Sequence, residues 1–159
     1  MMKFTILIID DEKNIREGLG DALELDGYDV RLAENGEQGL AFVEKGDIDL
    51  VITDLRMPGI SGEEVIAKVK GESPGIPVIV LTGHGSIDSA VDAMRNGAYD
   101  FLTKPLNLDR LSLIVKRALA GRELEIRHSN LKAELTERTS FESIIGKSAE
   151  MQKIFQVVR

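Results

Sequence analysis

The chain has 159 residues, of which 43% are hydrophobic and only 4% are aromatic, so it can bury one ordinary core built mainly from aliphatic side chains. Its net charge of -7 argues against a nucleic-acid surface as its main role, and the absence of cysteine excludes a disulfide scaffold and cysteine-based metal or redox chemistry. No apolar run approaches the roughly 20 residues that span a bilayer, so we expect a cytoplasmic protein.

Short apolar runs alternate with longer amphipathic stretches through roughly the first 120 residues, which is typical of βα units around a parallel sheet. The predicted strands are Phe4–Asp10, Asp29–Ala33, Leu50–Asp54, Val78–Leu81 and Tyr99–Leu102. The predicted helices are Glu12–Leu25, Gly36–Lys45, Gly62–Lys70, Ser86–Asn96 and one from Asn107 onward. The strands are almost continuously aliphatic, so we expect an α/β fold with a doubly wound, five-stranded parallel sheet that is buried on both faces.

The fifth helix continues into a predicted linker at residues 121–138, because Ala118 to Glu137 contains no proline and a single glycine. A spacing of three and four residues, as in the seam of a short coiled coil, relates Gly121, Leu124, His128, Leu131 and Leu135. A solvated helix with scattered leucines explains the same pattern, and both interpretations stay open.

The character of the chain changes after Thr139. The segment from Phe141 to Gly146 is typical of a loop or a short extended piece, and Ser148 can cap a helix from Ala149 to Arg159. The apolar face of that helix meets no later segment, so we expect residues 139–159 to be the truncated start of a larger domain.

Polar side chains follow four of the predicted strands: Asp10 with Asp11, then Asp54, Thr82 and Lys104. In doubly wound parallel sheets, ligands bind outside the carboxyl ends of the strands, so these side chains should meet. Two unit charges about 4 Å apart repel by ~1 kcal/mol in water and by ~4 kcal/mol at an effective dielectric of about 20. Three clustered carboxylates therefore indicate a hard cation, Mg²⁺ or Mn²⁺.

Asp54 is the candidate phosphoryl acceptor at this edge of the sheet. A single aspartate at a strand end is most often a turn or helix cap, but here four strand ends present chemically matched groups. Asp54 could act as a nucleophile and form a mixed anhydride. Lys104 would neutralise phosphoryl oxygens, and Thr82 would donate a hydrogen bond to one of them.

The motifs at the strand ends resemble the receiver domain of bacterial two-component response regulators. They are Ile8-Ile9-Asp10-Asp11-Glu12, Asp54-Leu55-Arg56-Met57-Pro58-Gly59, Thr82-Gly83-His84 and Lys104-Pro105, in the expected order within residues 1–120. The resemblance implies a flavodoxin-like strand order of 2-1-3-4-5 and phosphorylation of Asp54 by a sensor histidine kinase.

The resemblance also implies roles for the residues around Asp54. Asp11, Asp54 and the backbone carbonyl of Arg56 would hold Mg²⁺ (or Mn²⁺), with Asp10 acting through water. Thr82 and Lys104 would contact the phosphoryl group. The Lys104–Pro105 bond would be cis, as only about 5–6% of such bonds are.

Phe101 would be an aromatic switch that turns inward when Thr82 moves toward the phosphoryl group. From strand alternation alone, Phe101 shares a face with Tyr99, and an ordinary packed aromatic residue on an edge strand remains the alternative. His84 is either a plain loop residue or one that tunes the lifetime of the phosphoryl group.

The segments Ala98–Pro105 and Ile145–Met151, with the extended linker, are similar to NtrC-type activators. In those proteins a receiver and a linker precede an AAA+ ATPase that acts on sigma-54 RNA polymerase. The resemblance implies a receiver at residues 1–120 and an AAA+ start at residues 139–159. It also implies that phosphorylation controls oligomeric assembly, with a homodimer through the receiver and the linker helix. We expect no direct nucleic-acid contact and no membrane contact from this chain.

An aspartate phosphatase resembling haloacid dehalogenases is the alternative on the same kind of sheet. Such an enzyme needs a second aspartate two residues after the nucleophile as general acid, and Arg56 stands there instead. Gly146-Lys147-Ser148 is not a P-loop, because Phe141 occupies the place of the first glycine of that motif. We therefore expect a switch and not an enzyme, beyond slow Mg²⁺-dependent self-phosphorylation and self-dephosphorylation.

Overall fold

Strands and helices alternate along the chain in a computed structural model that describes residues 3–83, 87–124 and 126–127. The elements are β1 (Thr5–Ile9), α1 (Lys13–Leu25), β2 (Asp29–Ala33), α2 (Gly36–Glu44), β3 (Leu50–Asp54), α3 (Gly62–Glu72), β4 (Val78–Thr82), α4 (Ile87–Arg95), β5 (Asp100–Thr103) and α5 (residues 108–124). The predicted α/β class and each predicted strand are confirmed.

The five strands form one sheet in which every neighbouring pair is parallel, in the order β2-β1-β3-β4-β5. This is the predicted strand order. The chain leaves β1 toward one edge of the sheet and returns beside it as β3, so the direction of winding switches between these two strands. Their carboxyl ends therefore flank the crevice where doubly wound folds bind ligands.

The core lies on both faces of the sheet, which is why β1, β3 and β4 are mostly aliphatic, whereas the edge strands β2 and β5 carry charged residues and are partly exposed. Leu7 and Ile9 of β1 join the apolar cluster that α2, α3 and α4 cover, whereas Ile6 and Ile8 join the cluster that α1 and α5 cover. Every residue of β3 and β4 is buried. These two fully buried strands therefore form the floor beneath their carboxyl ends.

Several boundaries differ from the predictions by one or two residues. Asp10 lies just beyond β1, α3 continues to Glu72, and β5 covers Asp100–Thr103 instead of Tyr99–Leu102. Gly27 and Gly97 follow helices with φ of 98° and 109°, a backbone conformation that favours glycine at the end of a helix. The strands still end at the same edge, so these shifts leave the predicted site residues together.

Several predictions fall outside the described residues. They concern the loop residues 84–86, the linker beyond residue 127, and the segments Phe141–Gly146 and Ala149–Arg159. The chain divides into two units after Arg122, and the sheet, α1 to α4 and all but the last two residues of α5 belong to the first, Met1–Arg122. Within the described ranges, no helix has both the length and the apolar character needed to cross a membrane.

Candidate functional site

The predicted site residues meet at the carboxyl edge of the sheet, around an open cleft of about 300 Å³. The cleft is lined by Asp11, Glu12, Asp54, Leu55, Arg56, Thr82, Gly83, Ser89 and Lys104. Asp10 lies fully buried beside this cleft. The parallel sheet brings Asp11, Asp54, Thr82 and Lys104 together, because they stand at the ends of four different strands, whereas Ser89 comes from α4.

Three carboxylates form the acidic part of the site. One oxygen from each of Asp10, Asp11 and Asp54 lies within 4.8 Å of the other two. Asp10 Oδ1 accepts a hydrogen bond from the backbone N–H of Glu12 at 2.9 Å, and Asp54 Oδ1 accepts one from the backbone N–H of Arg56 at 3.2 Å. These main-chain bonds fix the direction of the two buried carboxylates.

Lys104 offsets part of this negative charge. Its Nζ donates a hydrogen bond to Asp54 Oδ2 at 2.9 Å, and it lies 3.3 Å from Asp10 Oδ2 and 3.6 Å from Glu12 Oε1. Burial lowers the pKa of Lys104, but the hydrogen bond and charge of Asp54, with the charge of Asp10, raise it above 10.5 overall. The ammonium group therefore persists at neutral pH, and its stabilising effect is lost only as the pH rises above 10.5. The peptide bond from Lys104 to Pro105 is cis, as predicted.

Asp10 carries the strongest sign that the cluster suits a cation. Its Oδ2 is buried and makes no hydrogen bond, because Lys104 Nζ, although 3.3 Å away, is not aligned for one. Burial raises the pKa of Asp10 above 3.8, and the Glu12 N–H and the charge of Lys104 only partly oppose this. A buried carboxylate oxygen that makes no hydrogen bond, beside two more carboxylates, fits a hard divalent cation.

The hydrogen bond of Thr82 and the packing of Phe101 involve residues other than the three carboxylates. The hydroxyl of Thr82 is buried and donates a long hydrogen bond of 3.4 Å to the backbone carbonyl of Leu102. Phe101 is half-buried against the core cluster beneath α2, α3 and α4, whereas Tyr99 is 42% exposed. The predicted contact of Thr82 with a phosphoryl group and the switching role of Phe101 stay predictions, as does the metal-binding carbonyl of Arg56.

Two residues that shape the site were not predicted from the sequence. Gly62, the first residue of α3, packs so closely on the end of β3 that an added Cβ would lie 2.4 Å from the carbonyl oxygen of Asp54. Arg16 Nη1 donates a buried hydrogen bond of 2.8 Å to the carbonyl of Asp10. The sequence pattern that could have identified Arg16 is its helical spacing from Leu19 and Leu23, which places a charged residue on the apolar face of α1.

A doubly wound, five-stranded sheet with this group of acids and a lysine at its switch point defines a receiver-type signalling domain. The comparison with known families agrees with this class. Residues 6–116 match the family described as the response regulator receiver domain, and the chain belongs to that family.

The related proteins are transcriptional regulators. The chain is 39% identical over 154 residues to the C4-dicarboxylate transport transcriptional regulatory protein DctD of Pseudomonas aeruginosa, covering 96% of this chain and 33% of that protein. It is 37% identical over 154 residues to the DNA-binding transcriptional regulator NtrC of Rhizobium meliloti, covering 97% and 31% respectively. The chain thus spans about a third of the length of the curated relatives it matches.

Solved structures show the same fold. A receiver domain protein from Clostridium thermocellum is 38% identical, with a TM-score of 0.73 over 76% of this chain and 98% of that one. NtrX from Brucella abortus is 36% identical, with a TM-score of 0.76 over 82% of this chain and 30% of that one. The match to the first of these covers nearly all of that receiver domain chain.

Proposed function

We propose that Asp54 is the phosphoryl acceptor of this receiver domain and that a sensor histidine kinase supplies the phosphoryl group. The observation that carries the proposal is the environment of the Asp54 carboxylate. It lies at the end of β3 in an open cleft, only 6% exposed, with one oxygen held by the Arg56 N–H and the other by Lys104. An aspartate that merely capped a turn would not need a partly buried ammonium group and two further carboxylates beside it.

The transfer is a displacement at phosphorus. A carboxylate oxygen of Asp54 forms the new bond to phosphorus, the bond from phosphorus to the kinase histidine nitrogen breaks, and that nitrogen keeps the electron pair and takes up a proton. The product at Asp54 is a mixed anhydride. The ammonium group of Lys104 is close enough to neutralise charge that develops on the phosphoryl oxygens.

We further propose that Asp10, Asp11, Asp54 and the backbone carbonyl of Arg56 make up the site for Mg²⁺ (or Mn²⁺). When bound, the cation offsets the repulsion among the carboxylates and shields an incoming phosphoryl group from them. The buried Oδ2 of Asp10, which makes no hydrogen bond, and the close approach of the three carboxylates support this assignment.

The response is proposed to be a two-state switch and not a turnover reaction. Thr82 would exchange its long bond to the Leu102 carbonyl for a bond to the phosphoryl group, and Phe101 would turn inward. The outer surface formed by α4, β5 and α5 would change with them. Exposed apolar side chains already mark this surface, namely Val91, Met94, Tyr99 and Leu113. We propose that this surface and the linker helix mediate homodimer formation.

The similarity to DctD, NtrC and NtrX supports a proposal for the whole protein. We propose that residues 1–120 are the receiver, residues 121–138 the linker and residues 139–159 the start of an AAA+ domain. Phosphorylation of the receiver would control assembly of a sigma-54-dependent activator in the cytoplasm. No observation on the described residues favours the phosphatase alternative, because Arg56 stands where the general acid would be needed.

The test is transfer from a small phosphodonor. The chain, incubated with acetyl phosphate and Mg²⁺, should gain the mass of one phosphoryl group, and Asp54→Asn should gain none. Asp47→Asn is the matched control, because Asp47 is exposed and precedes β3 at the opposite edge of the sheet. Equal labelling of Asp54→Asn and the wild-type protein would show that another residue is the acceptor.

A further inference from the structure

Arg16 is a buried cation whose nearest partner is an uncharged main-chain oxygen. The residue is 9% exposed, and Nη1 lies 2.8 Å from the carbonyl oxygen of Asp10. Within the described part of the chain, its ion pair is with Glu34, at 3.9 Å, and the Glu34 side chain is 68% exposed. Such an exposed pair contributes little, so the bond to Asp10 is the stronger of the two contacts.

The carbonyl of Asp10 belongs to the peptide unit that joins Asp10 to Asp11. Because that unit is planar, holding its oxygen restricts ψ of Asp10 and φ of Asp11 together. These angles decide where the two carboxylates point. Backbone hydrogen bonds hold both ends of the turn from Asp10 to Glu12. The Asp10 N–H donates to the Ala33 carbonyl at 3.2 Å, and the Glu12 carbonyl accepts from the Arg16 N–H at 3.0 Å. Arg16 is thus fixed to α1 at its backbone and to the acidic turn at its guanidinium.

We propose that Arg16 is a positioning residue for the cation site: its guanidinium holds the turn between Asp10 and Asp11 so that both carboxylates face the site. This inference rests on the proposed function, because it presumes that the acidic cluster holds Mg²⁺. Arg16 itself would not contact the cation. It acts through the main chain of the residues that do.

The direction in which the Mg²⁺ affinity changes when Arg16 is replaced separates positioning from simple electrostatics. A positive charge near the cluster repels Mg²⁺, so removing the charge of Arg16 would tighten Mg²⁺ binding if charge were its whole influence. Loss of positioning has the opposite effect, because partners that orient metal ligands typically contribute about 10-fold or more to metal affinity. Arg16→Met, which keeps an unbranched apolar stem but has no donor, therefore gives opposite predictions under the two explanations.

The experiment is a titration of the whole chain with Mg²⁺ alone, followed by the amide chemical shifts of the acidic turn. Arg16→Met should raise the Kd for Mg²⁺ by about 10-fold. Arg31→Met is the matched control, because Arg31 also donates to a backbone carbonyl, that of Val30, but on the exposed face of β2; its Kd should be unchanged. Arg16→Lys keeps the charge but replaces the planar guanidinium with a single donor nitrogen, and it should show an intermediate Kd.

An unchanged or lower Kd for folded Arg16→Met would overturn the inference, even if the variant unfolds at a lower temperature, because Arg16 would then be structural only. If Arg16→Met does not fold, Arg16→Lys decides in the same way: a raised Kd supports positioning and an unchanged Kd overturns it. Labelling by acetyl phosphate separates this outcome from failure of the proposed function. In the latter case the wild-type protein itself would bind no Mg²⁺ and gain no phosphoryl group on Asp54.

Discussion

Asp10→Asn is expected to stabilise the metal-free protein and at the same time to remove most of its affinity for Mg²⁺. The carboxylate is fully buried, its Oδ2 has no hydrogen-bond partner, and burial raises its pKa. Asparagine keeps an Oδ1 that can accept the Glu12 N–H, while the repulsion from Asp54 disappears. The lost attraction to Lys104 at 3.3 Å offsets part of this gain. We expect a net increase in the free energy of unfolding of about 1 kcal/mol, or about 4 °C in Tm.

The difference in stability between the wild-type protein and Asp10→Asn depends on pH. A carboxyl group with a raised pKa in the folded state binds its proton more tightly there than in the unfolded chain. Wild-type stability therefore falls, relative to Asp10→Asn, as the pH rises from about 3.8 through the higher pKa of the folded state. Above that window the difference stays constant, and well below pH 3.8 the part that comes from ionisation of Asp10 is absent.

Thermal unfolding in EDTA at several pH values measures the stability effect, and Mg²⁺ titration of the same samples measures the affinity. Asp21→Asn on the exposed face of α1 is a matched control and should change stability by no more than about 0.5 kcal/mol. Added Mg²⁺ should stabilise the wild-type protein by mass action but not Asp10→Asn. A metal-free Asp10→Asn protein that is less stable than wild type would mean that the carboxylate is well accommodated without a cation.

Gly62→Ala is expected to destabilise the fold, whereas Gly71→Ala in the same helix should not. A Cβ at position 62 would lie 2.4 Å from the Asp54 carbonyl oxygen and 2.7 Å from Leu55 Cα. Both are main-chain atoms, so α3 or the end of β3 must move. Forced overpacking of this kind lowers the free energy of unfolding by about 1–3 kcal/mol, and we expect about 2 kcal/mol after the better helix propensity of alanine is included.

Gly71 provides the control because it also belongs to α3 and a Cβ added there would have no neighbouring atom within 4 Å. Alanine at this position should leave stability unchanged or increase it by up to about 1 kcal/mol. Urea denaturation of both variants gives the comparison. Gly62→Ala should also weaken Mg²⁺ binding, because it displaces the backbone that carries Asp54. Equal stability of the two variants would show that α3 can move away from β3 without strain.

The residues at the strand ends could be predicted from the sequence because a parallel sheet places every carboxyl end on one edge. Asp10, Asp54 and Thr82 each follow a short, mostly aliphatic run, and Lys104 follows the short predicted strand Tyr99–Leu102, so the fold class alone predicted that they would meet. The boundaries were less accurate, as at β5, because a strand end depends on pairing with its neighbour. Tyr99 N–H bonds to the Val78 carbonyl, yet the ladder residues of β5 begin at Asp100.

By itself, the sequence determined the alternation of strands and helices, the two-sided core and the identity of the chemical groups at the site, because these depend on local periodicity and on one rule of sheet geometry. The tertiary structure alone decided how those groups are held. The bond between Lys104 and Asp54 joins residues 50 positions apart, and the contacts of Arg16 with Asp10 and of Gly62 with Asp54 depend on how each helix packs on the sheet. Such contacts follow from distances between elements, which local sequence patterns do not encode.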